Sequence, residues 1–201
     1  MHTFARLFVA CIGLVVDPTL SIAQDATSAV AAPVLSDAQL LRKYVWSTVG
    51  APGAIGAAIV GGVEQWQHYP PEWGHGLSGY SKRWASAYAA AAIGNTTKYA
   101  VAHFMHHDPS FTRCACAGVG PRLGHALTSP FMARTREGRH VFSFATVAGQ
   151  ATEHVVPAST WYPAGRIISD GVVLALAGIA AKMGVNVTRE FVSVPHVPKM
   201  P

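Results

Sequence analysis

Residues 53–67 read GAIGAAIVGGVEQWQ, and the spacing of their small side chains decides the architecture. Gly53, Ala57 and Gly61 recur at i, i+4 and i+8, one row along a helix. Such a row lets a second helix approach backbone to backbone. Pro52 suits the first turn, where its missing N–H costs nothing. The continuous apolar part runs about eleven residues before Glu64, short of the ~20 that cross a bilayer. The expectation is tight helix packing rather than membrane insertion.

The same pattern returns in GRIISDGVVLALAGIAAKMG (165–184), where Gly171, Ala175 and Gly178 form a second small face and Lys182 favours the C-terminal end. Asp170 near its middle argues against a span. Ahead of both, AQLLRKYVWSTV (38–49) has Ser36 and Asp37 as cap candidates and Gly50 as its stop. SKRWASAYAAAAI (81–93) is expected to break at Gly94-Asn95. Thr96 or Thr97 would then cap KYAVAHFMHH (98–107), which Asp108-Pro109 ends. RLGHALTSPFMA (122–133) starts after Pro121, with Pro130 a kink or stop, and ATVAGQATEHVVP (145–157) adds a further helix. A turn at Glu137-Gly138 leads into either a short strand or another helix, which leaves one short hairpin near 134–145 open. From Val185 the tail reads as a strand or extended arm, and 191–201 is Pro-rich. The fold class is mainly α: a single compact bundle of about six Gly/Ala-rich helices over residues 36–190.

Composition and the first residues bear on location. Half of the 201 residues are hydrophobic and 12% are charged, against about 25% in an ordinary soluble domain. Arg6, the apolar LFVACIGLVV (7–16) and the small residues of SIA (21–23) read as a secretory signal cleaved after Ala23, followed by a flexible leader over 24–35. The net charge of +5 is scattered apart from RTREGRH (134–140). That suits contact with an anionic membrane face, and no basic run interleaved with aromatics points to nucleic acid. Cleavage leaves two cysteines, Cys114 and Cys116, as a possible disulfide, an intermolecular link, two metal ligands or two plain thiols.

The candidate chemistry centres on HFMHHDPSF (103–111). On a continuous helix His103, His106 and His107 would share a face. His103 and His107 have the spacing of paired zinc ligands, with Phe104 where a zinc hydrolase carries its glutamate. Asp108, Cys114, Cys116 or His125 could complete a zinc site. The plainer alternative is a helix end, because histidines suit the last turn and Asp108 can bond nearby backbone. Lys82, Arg83, Arg122 and Arg166 are cations that either pair with Asp108 or Asp170 or hold a phosphate or lipid headgroup. No G-x-S-x-G elbow or phosphate-binding glycine loop is present.

The ordered segments GLSGYSKRW (76–84), HFMHHDPSF (103–111), GPRLGHAL (120–127), FSFATVAG (142–149) and WYP (161–163) resemble a family of exported bacterial proteins with no assigned activity. That family shares G-Y-x-K-R, H-x-D-P-x-[FY] and [WY]-Y-P motifs. The resemblance implies shared roles for Gly79, Tyr80, Lys82, Arg83, His106, Asp108, Pro109 and Arg122. It leaves His103, His107, Cys114 and Cys116 outside the pattern. A polar cluster of Tyr80, Lys82, Arg83, His106, Asp108 and Arg122 is therefore expected, either structural or facing a ligand.

The expected function is non-enzymatic. The chain reads as an exported protein of the periplasm or envelope, with a structural or interaction role toward envelope proteins or a membrane surface and no resident cofactor. Two alternatives stand beside it: a metal-dependent hydrolase using His103, His106, His107 and Asp108 with Zn, and a short-span integral membrane bundle.

Overall fold

A computed structural model describes residues 34–163 and 168–192, with backbone alone for 168–170. The expected signal, the leader through residue 33, Arg166 and the tail from 193 lie outside the described residues.

Helix α1 (Asp37–Val49) starts at a complete capping box: Ser36 Oγ accepts from the Gln39 amide at 3.3 Å, and Gln39 Oε1 accepts from the Ser36 amide at 2.9 Å. Gly50 ends it and also caps α2 (Ala51–Trp66), which carries Pro52 in its first turn. A short 3-10 turn at Pro71–Trp73 leads into α3 (Gly76–Met105), and β1 follows (His107–Asp108). Helix α4 (Val119–Thr128) and a 3-10 turn at Ser129–Phe131 precede strands β2 (Met132–Thr135) and β3 (His140–Phe142). Helix α5 (Phe144–Thr160) starts at a Ser143 cap, and α6 (Ile168–Phe191) closes the described chain. The protein is mainly α, with one small antiparallel sheet in the order β1-β2-β3. The hairpin left open over 134–145 exists, and it gains β1 as a third strand.

Helices pack in a row, α2 on α3, α3 on α5 and α5 on α6, with α1 across α2 and α3. Small residues set every step. Ala57 and Gly61 are buried, and a Cβ on Gly61 would stand 3.0 Å from the Trp84 amide nitrogen of α3. A Cβ on Gly94 would stand 2.9 Å from the Gly149 carbonyl of α5. One on Gly171 would meet the His154 carbonyl at 3.0 Å. The predicted close-approach faces of α2 and α6 are thus both used.

Three boundaries differ from expectation. Gly94-Asn95 does not break a helix: α3 runs 30 residues through it, about 45 Å. A mid-helix glycine costs about 1 kcal/mol, and the α5 contact it permits outweighs that. Second, α3 ends at Met105 rather than at His107, because His106 turns left-handed (φ 54°, ψ 38°). His107 and Asp108 become strand. Third, α6 continues to Phe191 instead of giving way to an extended arm at Val185. Asp170 therefore stands near its start.

The two ends of the row differ. Asp37, His103, His106 and Arg136 meet at one end, with Arg136 Nη2 2.9 Å from Asp37 Oδ2 and 3.0 Å from His106 Nδ1. At the other, Trp73 stacks on Tyr162 at 5.3 Å, Trp161 Nε1 donates to Ser86 Oγ at 2.8 Å, and Tyr162 donates to Glu64 at 3.2 Å. Burial, with Glu64 adding to it, raises the Tyr162 phenol above its ordinary range, so it stays protonated and donates.

Two glycine substitutions separate packing from propensity. Gly94→Ala should destabilise by about 1–3 kcal/mol, because its methyl meets the α5 backbone. Gly56→Ala, whose methyl meets nothing within 4 Å, should be neutral or stabilise by up to about 1 kcal/mol. Thermal unfolding of the two variants checks the contrast, and equal effects would contradict it.

Candidate functional site

The charged end holds two buried ionic knots. In the first, the β1–β2 register sets Asp108 opposite Arg134. Arg134 Nη2 donates to Asp108 Oδ2 at 3.1 Å, while the Leu35 and Ser110 amides donate to the same carboxylate at 3.2 and 2.9 Å. Asp108 is buried, so this is a desolvated pair with its remaining lone pairs filled. The second knot is Glu190 on the last turn of α6, which is wholly buried. It accepts from Arg122 Nε at 3.2 Å and from the Cys114 amide at 3.1 and 3.2 Å. Arg122 also donates to the Glu190 carbonyl and lies 4.8 Å over the Phe191 ring. His125 Nδ1 faces the same carboxylate at 3.5 Å.

A cleft of about 340 Å³ opens between these knots, lined by Asp108, Ser110, His125, Ser129, Arg134 and His140 among others. Both carboxylates at the knots are already met by cations and amides. That is the environment of an anchor rather than a general base, whose lone pair must be free for a proton.

The expected six-residue cluster does not assemble. Arg83 is fully buried at the opposite, aromatic end. It donates to the carbonyls of Tyr69 (2.7 Å), Gly74 (2.9 Å) and Pro70 (2.8 Å) and to Gln65 Oε1 (2.6 Å). Tyr80 reaches the Ala58 carbonyl, also toward that end, and Lys82 is exposed on the same stretch of α3. Asp108 takes Arg134 as partner rather than Lys82 or Arg83, and Arg122 takes Glu190. His106 joins Arg136 at the surface.

The histidines separate for a local reason. Because α3 stops at Met105, His107 leaves on β1 opposite Thr135, while His103 stacks on Tyr99 at 5.8 Å. Among the described residues no three His, Cys, Asp or Glu side chains are grouped to hold a metal. Cys114 and Cys116 are joined sulfur to sulfur.

A further polar layer lies among the helices. Gln150 Nε2 donates to Glu153 Oε2 at 2.5 Å on α5. Lys98 of α3 and Lys182 of α6 lie close enough to act on each other electrostatically. The sequence reading did not single out Arg134, Glu190 or this layer as site residues. The signal for Lys98, Glu153, Lys182 and Glu190 was a charge set in a mostly apolar helix, and for Arg134 its place in the basic run 134–140.

No protein-family model, curated protein or solved structure matches the chain.

Asp108→Asn leaves Arg134 without its countercharge and should cost about 3–5 kcal/mol. Asp108→Leu combined with Arg134→Met should recover most of that loss, a coupling a double-mutant cycle reads directly. Strictly additive single effects would show that the pair is no unit.

Proposed function

We propose that this chain is a membrane protein of the cell envelope, its helical row embedded in lipid and serving a structural or interaction role. One observation carries the reading: burial is inverted relative to a water-soluble bundle. The buried apolar residues are mostly Ala, accompanied by Arg83, Asp108, Gln150 and Glu190. Large apolar side chains point outward: Ile55, Ile59, Val60 and Trp66 on α2, and Val172, Val173, Leu176 and Val185 on α6.

In water each such side chain forgoes about 1.5–3 kcal/mol of burial, whereas lipid tails accept it. Small residues inward and polar groups facing the bundle interior are what helix association in a bilayer favours. Residues Gly171–Phe191 form a 21-residue stretch of mean hydropathy 1.6 with 22% of its apolar window buried. A soluble core helix this apolar would be mostly buried, and a signal sequence would lie near the N-terminus. Neither describes α6. Helices α1 and α2 together pass the same test across a 41° bend.

The outward apolar faces favour embedding over peripheral contact. They sit on α2 and α6, at the two ends of the row, with α3 and α5 between. A protein resting on a surface needs one such face. The wider span of α6 also removes the length objection drawn from 165–184. Arg83, buried on α3, satisfies its guanidinium on backbone carbonyls and Gln65, as a cation inside a membrane bundle must.

Cell membranes containing the protein should keep it in the pellet after alkaline carbonate extraction. In vesicles with brominated acyl chains, the exposed Trp46 and Trp66 should be quenched. Leu176→Lys, costing about 2.5–3.5 kcal/mol of insertion at a helix centre, should shift the chain toward the supernatant. Release of the unmodified protein by carbonate without quenching would sink the reading.

A further inference from the structure

A second cleft, of about 400 Å³, lies between α1 and α3. Its polar lining is Lys43, Tyr44 and Ser47 from α1, Asn95 and Lys98 from α3, and Ser110 beyond β1. No Asp or Glu lines it. Two lysine side chains thus line one small space together with the Asn95 amide.

Among the described residues neither lysine has a carboxylate within 4.0 Å. The carboxylates that act on them from farther away are Asp108 and Glu153. Asp108 is held by Arg134 and two backbone amides, and Glu153 accepts from Gln150. The surrounding cations Lys182, Arg134 and Arg189 add to Lys43 and Lys98 rather than offset them. Other local groups are already spoken for: the Tyr44 hydroxyl bonds Thr96 at 2.9 Å, and its ring stacks on Tyr99 at 4.8 Å. That stacking fixes one wall. The unmet element is negative charge.

We infer that this cleft binds a phosphate-bearing anion between Lys43 and Lys98, with Asn95 as the neutral donor. Paired ammonium groups on a concave polar wall supply the charge-assisted hydrogen bonds that phosphate oxygens take. Pro109 and Ser110 border the cleft, so it opens toward the charged end of the row. In an embedded bundle that places it near headgroup depth, where a lipid phosphate is one source. A free phosphate group is the other. The charge argument holds for either, and for the protein in detergent as well as in lipid.

The test uses the full chain in neutral phosphatidylcholine nanodiscs. One arm titrates inorganic phosphate and follows its phosphorus resonance. The other incorporates phosphatidic acid and counts retained lipid by native mass spectrometry. Saturable binding in either arm is expected, and the arm in which it appears names the source. The double variant K43Q/K98Q should weaken it about tenfold or more, the scale of losing charge-assisted bonds. Lys43→Gln alone, at an exposed position, should weaken it severalfold and guards against misfolding of the double variant. Lys82→Gln, exposed on α3 outside the cleft, should leave it unchanged. The inference is overturned if neither arm shows saturable binding, if the lysine variants bind as the unmodified chain does, or if Lys82→Gln weakens binding equally. Carbonate extraction reports on embedding separately, so the two readings can fail independently.

Discussion

The close approach of α3 to α5 at Gly94 and Gly149 is the constraint on which the rest of the bundle depends. Each glycine faces the other's carbonyl, at 2.9 and 2.8 Å from where a Cβ would stand. Backbones that near leave no room between them for Ile, Leu or Trp. The bulky residues of the flanking helices project away from the row, and the interior is left to Ala, Gly and polar groups. A thin interior of this kind cannot draw its stability from buried apolar volume in water. Ion pairs inside the bundle, Asp108 with Arg134 and Glu190 with Arg122, tie its polar end together.

The fold was legible where it is local. Ser36 caps α1, Gly50 separates two helices and Pro52 sits in a first turn, because each of these needs only its near neighbours. The small-residue rows were legible as well, since helical periodicity alone aligns them. Gly94-Asn95 misled because propensity is a weak local cost that a tertiary contact overrides. The end of α3 was misplaced by two residues for a similar reason: His106 adopts a left-handed cap ahead of Asp108-Pro109.

The candidate site was legible in part. Asp108 is buried and Arg122 half-buried, each in an ion pair, but their partners were not readable. Arg134 lies 26 residues from Asp108 and Glu190 lies 68 from Arg122. Sequence periodicity carries no information over such separations. The histidine trio failed because its shared face required a helix that stops before two of its members. Arg83 shows the opposite case. Its burial was unforeseen because its partners are backbone carbonyls, which every residue offers and none advertises.

Glu190 carries a consequence for the order in which the molecule assembles. Arg122, the Cys114 amide and His125 all point at a carboxylate that leaves the ribosome some seventy residues after them. Until it arrives, α4 and the 110–118 segment hold a cation and an amide with nowhere to discharge. The row α2-α3-α5 can form from what precedes, but the charged end stays open until the last turn of α6 is made. The final helix is then a latch: its terminal carboxylate closes a polar end whose other groups all precede it in the chain.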